Sequence, residues 1–147
     1  MVLILFLDID GCLRRSSTPL YKLESHLVEN LERFVAELEK GGPVEIVITS
    51  TWKTAFSLDQ IRSHFPHSLR LKIIGATPSF PAADGSRYEE IRTYLRLNGL
   101  ERKNWIAIDD DPFGFPPNLE NLILVDPEVG FIAPSGLSLV PTDHDLP

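Results

Sequence analysis

Five short runs of apolar residues recur along the chain, each followed closely by a polar or turn-forming residue. Runs of this length, rich in valine, isoleucine and leucine, are typical of strands in a parallel sheet that is covered on both faces. The predicted strands cover residues 2–7, 44–48, 71–74, 105–108 and 122–125. The first of them, VLILFL, carries no charge, which indicates an interior position in the sheet.

Apolar residues at helical spacing occupy the intervals between these runs. A stripe over residues 23–38 predicts a long surface helix with one buried face. Ser57 with Gln60, and Ser86 with Glu89, have the spacing of a capping box, and each pair predicts the start of a shorter helix. Alternating strands and helices predict the α/β class: a five-stranded, mainly parallel sheet in a three-layer, Rossmann-like arrangement.

A parallel sheet brings the carboxyl ends of its strands to one edge, where open α/β folds bind ligands. The residues predicted at this edge are Asp8, Asp10, Thr49, Ser50, Asp109, Asp110 and Asp126, together with the start of the helix at Arg87. Asp8 and Asp10 are two positions apart on a strand, so their side chains point the same way, and Gly11 frees the backbone to bend behind them. An Asx turn would explain this stretch alone, but the other strand ends favour a site.

Length and composition predict one globular domain over residues 1–147, with a core at about 2–126 and a Pro- and Gly-rich C-terminal extension at 127–147. The net charge of -7 argues against a broad nucleic-acid-binding face, although Arg14 and Arg15 leave a local basic patch open. The single Cys12 excludes an internal disulfide and a multi-cysteine zinc site. The apolar start is too short for a signal core or a spanning helix, so we expect a soluble cytoplasmic protein that makes no membrane contact.

Several carboxylates at one edge repel one another and need a cation. Oxygen ligands without cysteine or patterned histidine favour Mg²⁺ over zinc, and a protein-bound Mg²⁺ commonly takes a further ligand from a phosphate. The hydroxyls of Thr49 and Ser50 could donate to phosphate oxygens, and Lys53 or Arg87 could neutralise a further charge. This combination of residues predicts phosphoryl transfer, with a carboxylate as the nucleophile.

FLDIDG, followed by ITS and then IDDD, resembles the haloacid dehalogenase-like (HAD) superfamily, specifically its Asp-x-Asp phosphatases, over residues 2–126. The resemblance implies that Asp8 is the nucleophile and that Asp10 is the general acid and then the base. It implies a Mg²⁺ ion between the Asp8 carboxylate, the Asp10 backbone carbonyl and the acidic pair Asp109 and Asp110. The second motif of the family falls on Thr49, with Ser50 as the alternative register.

Three details of the resemblance concern the substrate site. ITSTWK is similar to the second motif of the deoxynucleotide 5′-phosphatases, which implies that Ser50 and Lys53 touch phosphate and favours nucleotide-like monoesters. The third motif is usually a lysine; Arg87 stands in its place, and Lys53 and Lys103 are the alternatives. Asp111 would then support the acidic pair Asp109 and Asp110 without binding the metal ion directly.

Neither gap between motifs has room for the cap domain that many family members insert there, so we expect a capless, open site. Such a site admits small or tethered phosphorylated substrates, and only the loop at 77–85 or the C-terminal tail could close over it. The spacing implies no particular oligomeric state. Two alternatives to a phosphatase remain: a non-catalytic or regulatory phosphate- and Mg²⁺-binding domain of the same fold, and a receiver-type signalling module.

Overall fold

We describe a computed structural model of the chain over residues 1–79 and 86–134. The strands are β1 (Leu3–Leu7), β2 (Val44–Ile48), β3 (Ile73–Ala76), β4 (Asn104–Asp109) and β5 (Leu122–Leu124). The helices are α1 (Ser25–Leu38), α2 (Trp52–Ala55), α3 (Leu58–Arg62), α4 (His67–Arg70) and α5 (Arg87–Leu97), with single 3-10 turns at Glu39–Gly41 and Pro112–Gly114. The predicted loop at 77–85 and the C-terminal extension lie partly outside the described residues.

All five strands form one parallel sheet in the order β3-β2-β1-β4-β5, which confirms the predicted fold class. The apolar strand β1 lies at its centre, as its uncharged sequence predicted. This order differs from the 2-1-3-4-5 order of receiver-type modules, so the fold disfavours that alternative.

The side chains of β1 alternate between two apolar cores, one on each face of the sheet. Leu5 and Leu7 pack with α1 and the three short helices that follow β2. Ile4 and Phe6 pack with α5 on the opposite face. This alternation is the period of two expected of a strand, and it produces the predicted three layers.

Two short helices and the position of β3 differ from the predicted pattern. The third strand was predicted at residues 71–74, but α4 occupies the segment before it and β3 begins two residues later, at Ile73. Leu71 is 75% exposed in the turn between them, whereas Leu69 and Ile73 are buried. Apolar content alone could not separate the last turn of a helix from the first residue of a strand. The helix α2 was likewise not predicted.

The gap between β1 and β2 holds α1, and the gap between β2 and α5 holds only three short helices and β3, so the described residues contain no cap domain. Beyond β5, Phe131 is fully buried against Phe34, and its carbonyl accepts a hydrogen bond from the Asn30 side chain. The first part of the predicted extension therefore contributes to the core. None of the described helices has the length and apolar character needed to cross a membrane.

Candidate active site

Parallel pairing aligns the ends of the three central strands. Leu7 of β1 is in register with Ile48 of β2 and with Ile108 of β4. The next residue on each strand is therefore Asp8, Thr49 or Asp109, and the ladder continues through them: the Asp8 amide donates to the Ile108 carbonyl at 3.0 Å, and the Thr49 amide donates to the Leu7 carbonyl at 3.0 Å. The sheet thus fixes these three residues side by side at its carboxyl edge.

The carboxylates of Asp8, Asp109 and Asp110 form a compact group, here called the acid cluster. One oxygen from each residue lies within 4.8 Å of the others. Asp8 and Asp109 are buried, and Asp110 is partly exposed. Among the described residues no donor forms a hydrogen bond to Asp109 Oδ2, whereas Oδ1 accepts one from the Asp111 amide at 3.0 Å. A buried carboxylate oxygen without a hydrogen bond, beside two more carboxylates, suits a hard divalent cation.

The ionisation of the cluster supports this interpretation. Burial raises the pKa of Asp8 well above its usual value, and the neighbouring charge of Asp109 raises it further, while Arg87 acts in the opposite direction. Burial also raises the pKa of Asp109 to about 6, against the lowering effects of Arg87 and the Asp111 amide. Without a cation the cluster therefore resists full ionisation, and a cation would remove that resistance.

Arg87 supplies the only cationic side chain that the described structure places against the acid cluster. Its Nη2 lies 3.9 Å from Asp8 Oδ1, and its Nε lies 3.5 Å from Asp109 Oδ2. The Ser86 hydroxyl caps α5 by accepting a hydrogen bond from the Glu89 amide, and so fixes the start of the helix that carries Arg87. Arg87 Nη1 is buried and makes no hydrogen bond to a described residue, so it retains a donor for an anion.

Lys103, the alternative for the third motif, lies at the other end of the sheet. It precedes the first residue of β4, whereas the acid cluster follows the last. A strand of this length separates the two by roughly 20 Å. Lys103 is exposed there and cannot reach the cluster.

Gly11 allows the first loop to pass directly over the acid cluster. Its φ of +83° lies in the left-handed region, and a Cβ built on it would lie 2.2 Å from Asp110 Oδ2. Only glycine combines that backbone conformation with so close an approach. The predicted bend behind Asp10 thus also leaves space for an acidic side chain from another strand.

Asp10 lies beside the acid cluster but is held by other partners. Its Oδ1 accepts a hydrogen bond from the Trp52 indole Nε1 at 3.0 Å and one from Arg14 Nη1 at 3.1 Å. The sequence indicates core or hinge packing for Trp52 and a possible basic patch for Arg14. The structure buries Trp52 in the core, and it also turns the Trp52 indole and the Arg14 guanidinium towards Asp10. A buried tryptophan requires a partner for its N–H, and that requirement was the available signal.

Lys53 and Ser50 have partners that the sequence did not reveal. Lys53 Nζ donates to Thr77 Oγ1 at 2.8 Å, to Glu90 Oε1 at 2.8 Å and to the Thr49 carbonyl at 3.2 Å. Burial lowers the pKa of Lys53, and the bond to Glu90 opposes this effect. Ser50 is fully buried, and its Oγ accepts a hydrogen bond from the Trp52 amide at 3.2 Å. The Lys53 ammonium and the Ser50 hydroxyl already form hydrogen bonds within the protein. Contacts of these two groups with a phosphate stay predictions.

The remaining acidic residues at this edge stabilise turns. Asp111 lies outside the acid cluster; its Oδ1 accepts a hydrogen bond from the Phe113 amide at 2.9 Å and caps the turn Pro112–Gly114. Asp126 Oδ1 accepts one from the Glu128 amide at 2.9 Å. Phe113 is 93% exposed on its turn, which is an unusual position for so large an apolar side chain.

Comparison with known protein families identifies a related family. A family model described as the HAD domain in Swiss Army Knife RNA repair proteins matches residues 4–135. No curated protein and no solved structure matches the chain. The matched segment includes all five strands and every residue of the acid cluster.

Proposed function

Since the chain belongs to the HAD superfamily, in the family of HAD domains of Swiss Army Knife RNA repair proteins, we propose that it is a Mg²⁺-dependent phosphomonoesterase that works through an aspartyl-phosphate. Membership places the chain among phosphatase-type hydrolases at the level of the superfamily. The observation that carries the finer proposal is the acid cluster, in which Asp8, Asp109 and Asp110 bring oxygens within 4.8 Å of one another at the carboxyl edge of the sheet.

The acid cluster suits Mg²⁺ because it offers only oxygen ligands, two of them from buried carboxylates. Asp8, Asp109 and Asp110 would hold the ion, together with the Asp10 backbone carbonyl that the family resemblance implies. When bound, Mg²⁺ neutralises negative charge on the substrate phosphate and on the cluster. Arg87 adds a fixed positive charge and N–H donors on the side of α5.

In the proposed reaction a carboxylate oxygen of Asp8 attacks phosphorus and forms an O–P bond. The bond from phosphorus to the leaving oxygen breaks, and Asp10 donates a proton to that oxygen. The Asp10 carboxylate then accepts a proton from a water molecule whose oxygen attacks the same phosphorus. The O–P bond to Asp8 breaks, inorganic phosphate leaves, and both aspartates return to their initial state.

For the substrate we propose a phosphate monoester at the end of an RNA strand or on a nucleotide. The family description names RNA repair proteins, and ITSTWK resembles the motif of nucleotide phosphatases. An open site without a cap admits a strand end, and the negative net charge suits recognition of an end better than of a long tract. Phe113 is exposed on a turn fixed by Asp111 next to the acid cluster, where a base could stack on its ring.

The proposal is tested by measuring phosphate release with Mg²⁺ from 3′- and 5′-phosphorylated oligonucleotides, mononucleotides and sugar phosphates. Asp8→Asn and Asp10→Asn should abolish turnover, and chelation of the metal should do so reversibly. Asp126→Asn is the matched control, because it changes an acid at the same edge that serves a turn. Robust hydrolysis by the Asp8→Asn protein would show that the nucleophile is misassigned. Binding of Mg²⁺ without turnover of any ester would instead favour the non-catalytic alternative.

A further inference from the structure

The described residues donate hydrogen bonds to only one of the two carboxylate oxygens of Asp10. Both the Trp52 indole and the Arg14 guanidinium donate to Oδ1, and no described residue donates to Oδ2. The Asp10 side chain is 38% exposed, so without these donors it would be free to change rotamer in contact with water. The two carboxylate oxygens therefore differ: one is occupied by the protein, and the other remains available for chemistry.

The Trp52 donor is held rigidly. Trp52 begins α2, is 1% exposed, and has edge or tilted ring contacts with Tyr21, Phe56 and His64. An indole surrounded in this way cannot rotate without displacing its neighbours, so the direction of its N–H is fixed. Because the buried N–H would be costly without a partner, the bond to Asp10 is also an energetic requirement of the fold.

The Arg14 donor is held from the other side. Its side chain is 9% exposed, and besides Asp10 it donates through Nη2 to the carbonyl of Thr18. The first loop, which contains Asp10 and Arg14, is closed by a hydrogen bond from the Gly11 amide to the Arg14 carbonyl at 2.9 Å. The two donors thus reach Oδ1 from separate parts of the chain, one from the first loop and one from the helix after β2.

We propose that Trp52 and Arg14 are positioning residues that fix the Asp10 carboxylate through Oδ1 and leave Oδ2 as the atom that transfers the proton. The inference rests on the proposed phosphatase, in which Asp10 donates to the leaving oxygen and later accepts from water. Neither Trp52 nor Arg14 touches the reacting atoms. Their role is to keep Oδ2 in place, because misplacement of a catalytic group by about 1 Å can cost roughly 100-fold in rate.

The test uses leaving groups of different quality. An alkyl monoester such as a nucleoside 5′-monophosphate needs a proton on its leaving oxygen, whereas p-nitrophenyl phosphate has a stable leaving anion and needs little help. Trp52→Phe keeps a six-membered aromatic ring but removes the pyrrole ring and its N–H. It should lower kcat/KM on the alkyl ester by roughly 10- to 100-fold and on the aryl ester by less than about 3-fold. Trp105→Phe is the matched control, because Trp105 packs in the core on the opposite face of the sheet, and it should change neither rate.

A second measurement detects the hydrogen bond between Trp52 and Asp10 without requiring catalysis. The chain has 2 tryptophans, so its NMR spectrum should show two indole N–H resonances, assigned by means of the Trp105→Phe variant. Asp10→Ala should shift the Trp52 resonance and speed its hydrogen exchange while leaving that of Trp105 unchanged. If the wild-type protein is active, equal losses of kcat/KM on the two esters in Trp52→Phe would overturn the positioning role alone. A Trp52 indole resonance that Asp10→Ala does not shift would do the same. A wild-type protein inactive on both esters and on phosphorylated oligonucleotides would overturn it together with the proposed function.

Discussion

Replacing Gly11 with alanine tests whether Asp110 is a ligand for Mg²⁺. The first loop passes so close to Asp110 that the added methyl carbon would lie 2.2 Å from Oδ2 and 2.6 Å from Cγ. Ordinary contact begins near 3.4 Å. Either the loop or the carboxylate must therefore move by roughly 1 Å, and both belong to the proposed site.

Two costs of the Gly11→Ala substitution can be separated. The left-handed backbone at φ +83° costs an alanine about 1 to 2 kcal/mol of stability, with or without metal. Displacement of the carboxylate should weaken Mg²⁺ binding by about 100-fold, at the upper end of what losing a ligand-orienting group costs. At a Mg²⁺ concentration 100 times the wild-type dissociation constant, wild type should gain about 2.7 kcal/mol of stability and the variant about 0.4 kcal/mol.

Denaturant unfolding with and without Mg²⁺ measures both costs. Gly99→Ala provides the matched control, because Gly99 also has a positive φ, +65°, but a Cβ there would meet no atom within 4 Å. It should lose a similar amount of stability and keep the full gain from Mg²⁺. If Gly11→Ala gained as much from Mg²⁺ as Gly99→Ala, the assignment of Asp110 as a ligand would be refuted.

Three further predictions concern the surroundings of the acid cluster. Titration of Asp109 should cost the metal-free protein up to about 3 kcal/mol of stability as the pH rises from 4 to 7, because burial raises the pKa of Asp109 from 3.8 to about 6 and the folded state holds a proton that the unfolded chain has released. The raised pKa of Asp8 acts in the same direction. Denaturant unfolding across this range should show the loss, and Asp109→Asn or added Mg²⁺ should diminish it. Lys53→Met should destabilise the protein by about 3 kcal/mol, since it breaks the buried ion pair between Lys53 and Glu90; thermal unfolding should show partial recovery in the double variant with Glu90→Leu. Phe113→Ser should lower kcat/KM about 10-fold on a phosphorylated oligonucleotide and leave p-nitrophenyl phosphate unchanged, and equal rates on both substrates for variant and wild type would rule out stacking.

The sequence predicted the sheet well because its strands are short, apolar and buried. The apolar composition and the length of each run were therefore enough to locate most of the strands. Val44–Ile48 was predicted with the bounds that the structure shows. The third strand was displaced because α4 and β3 share one apolar stretch, and the choice between them depends on which side chains the core accepts. Local pattern contains no information on that choice.

The acidic and hydroxyl residues of the site could be placed because each follows a strand, and parallel strands end at one edge. Their partners could not be found in this way. The bond from Trp52 to Asp10 joins residues 42 positions apart, and the bond from Lys53 to Glu90 joins residues 37 apart. Both depend on how helices dock on the sheet. ITSTWK contains both Trp52 and Lys53, but no motif states which way an indole or an ammonium group points.

The central position of β1 has a consequence for synthesis of the protein on the ribosome. β1 pairs with β2 on one side and with β4 on the other, yet β4 ends only at Asp109. A nascent chain that has completed β3 can pair three strands but leaves one apolar edge of β1 bare, which is a target for chaperones and for aggregation. Asp8 gains its acidic neighbours only when β4 closes that edge, so the ability to capture a metal ion would report that β4 has joined the sheet.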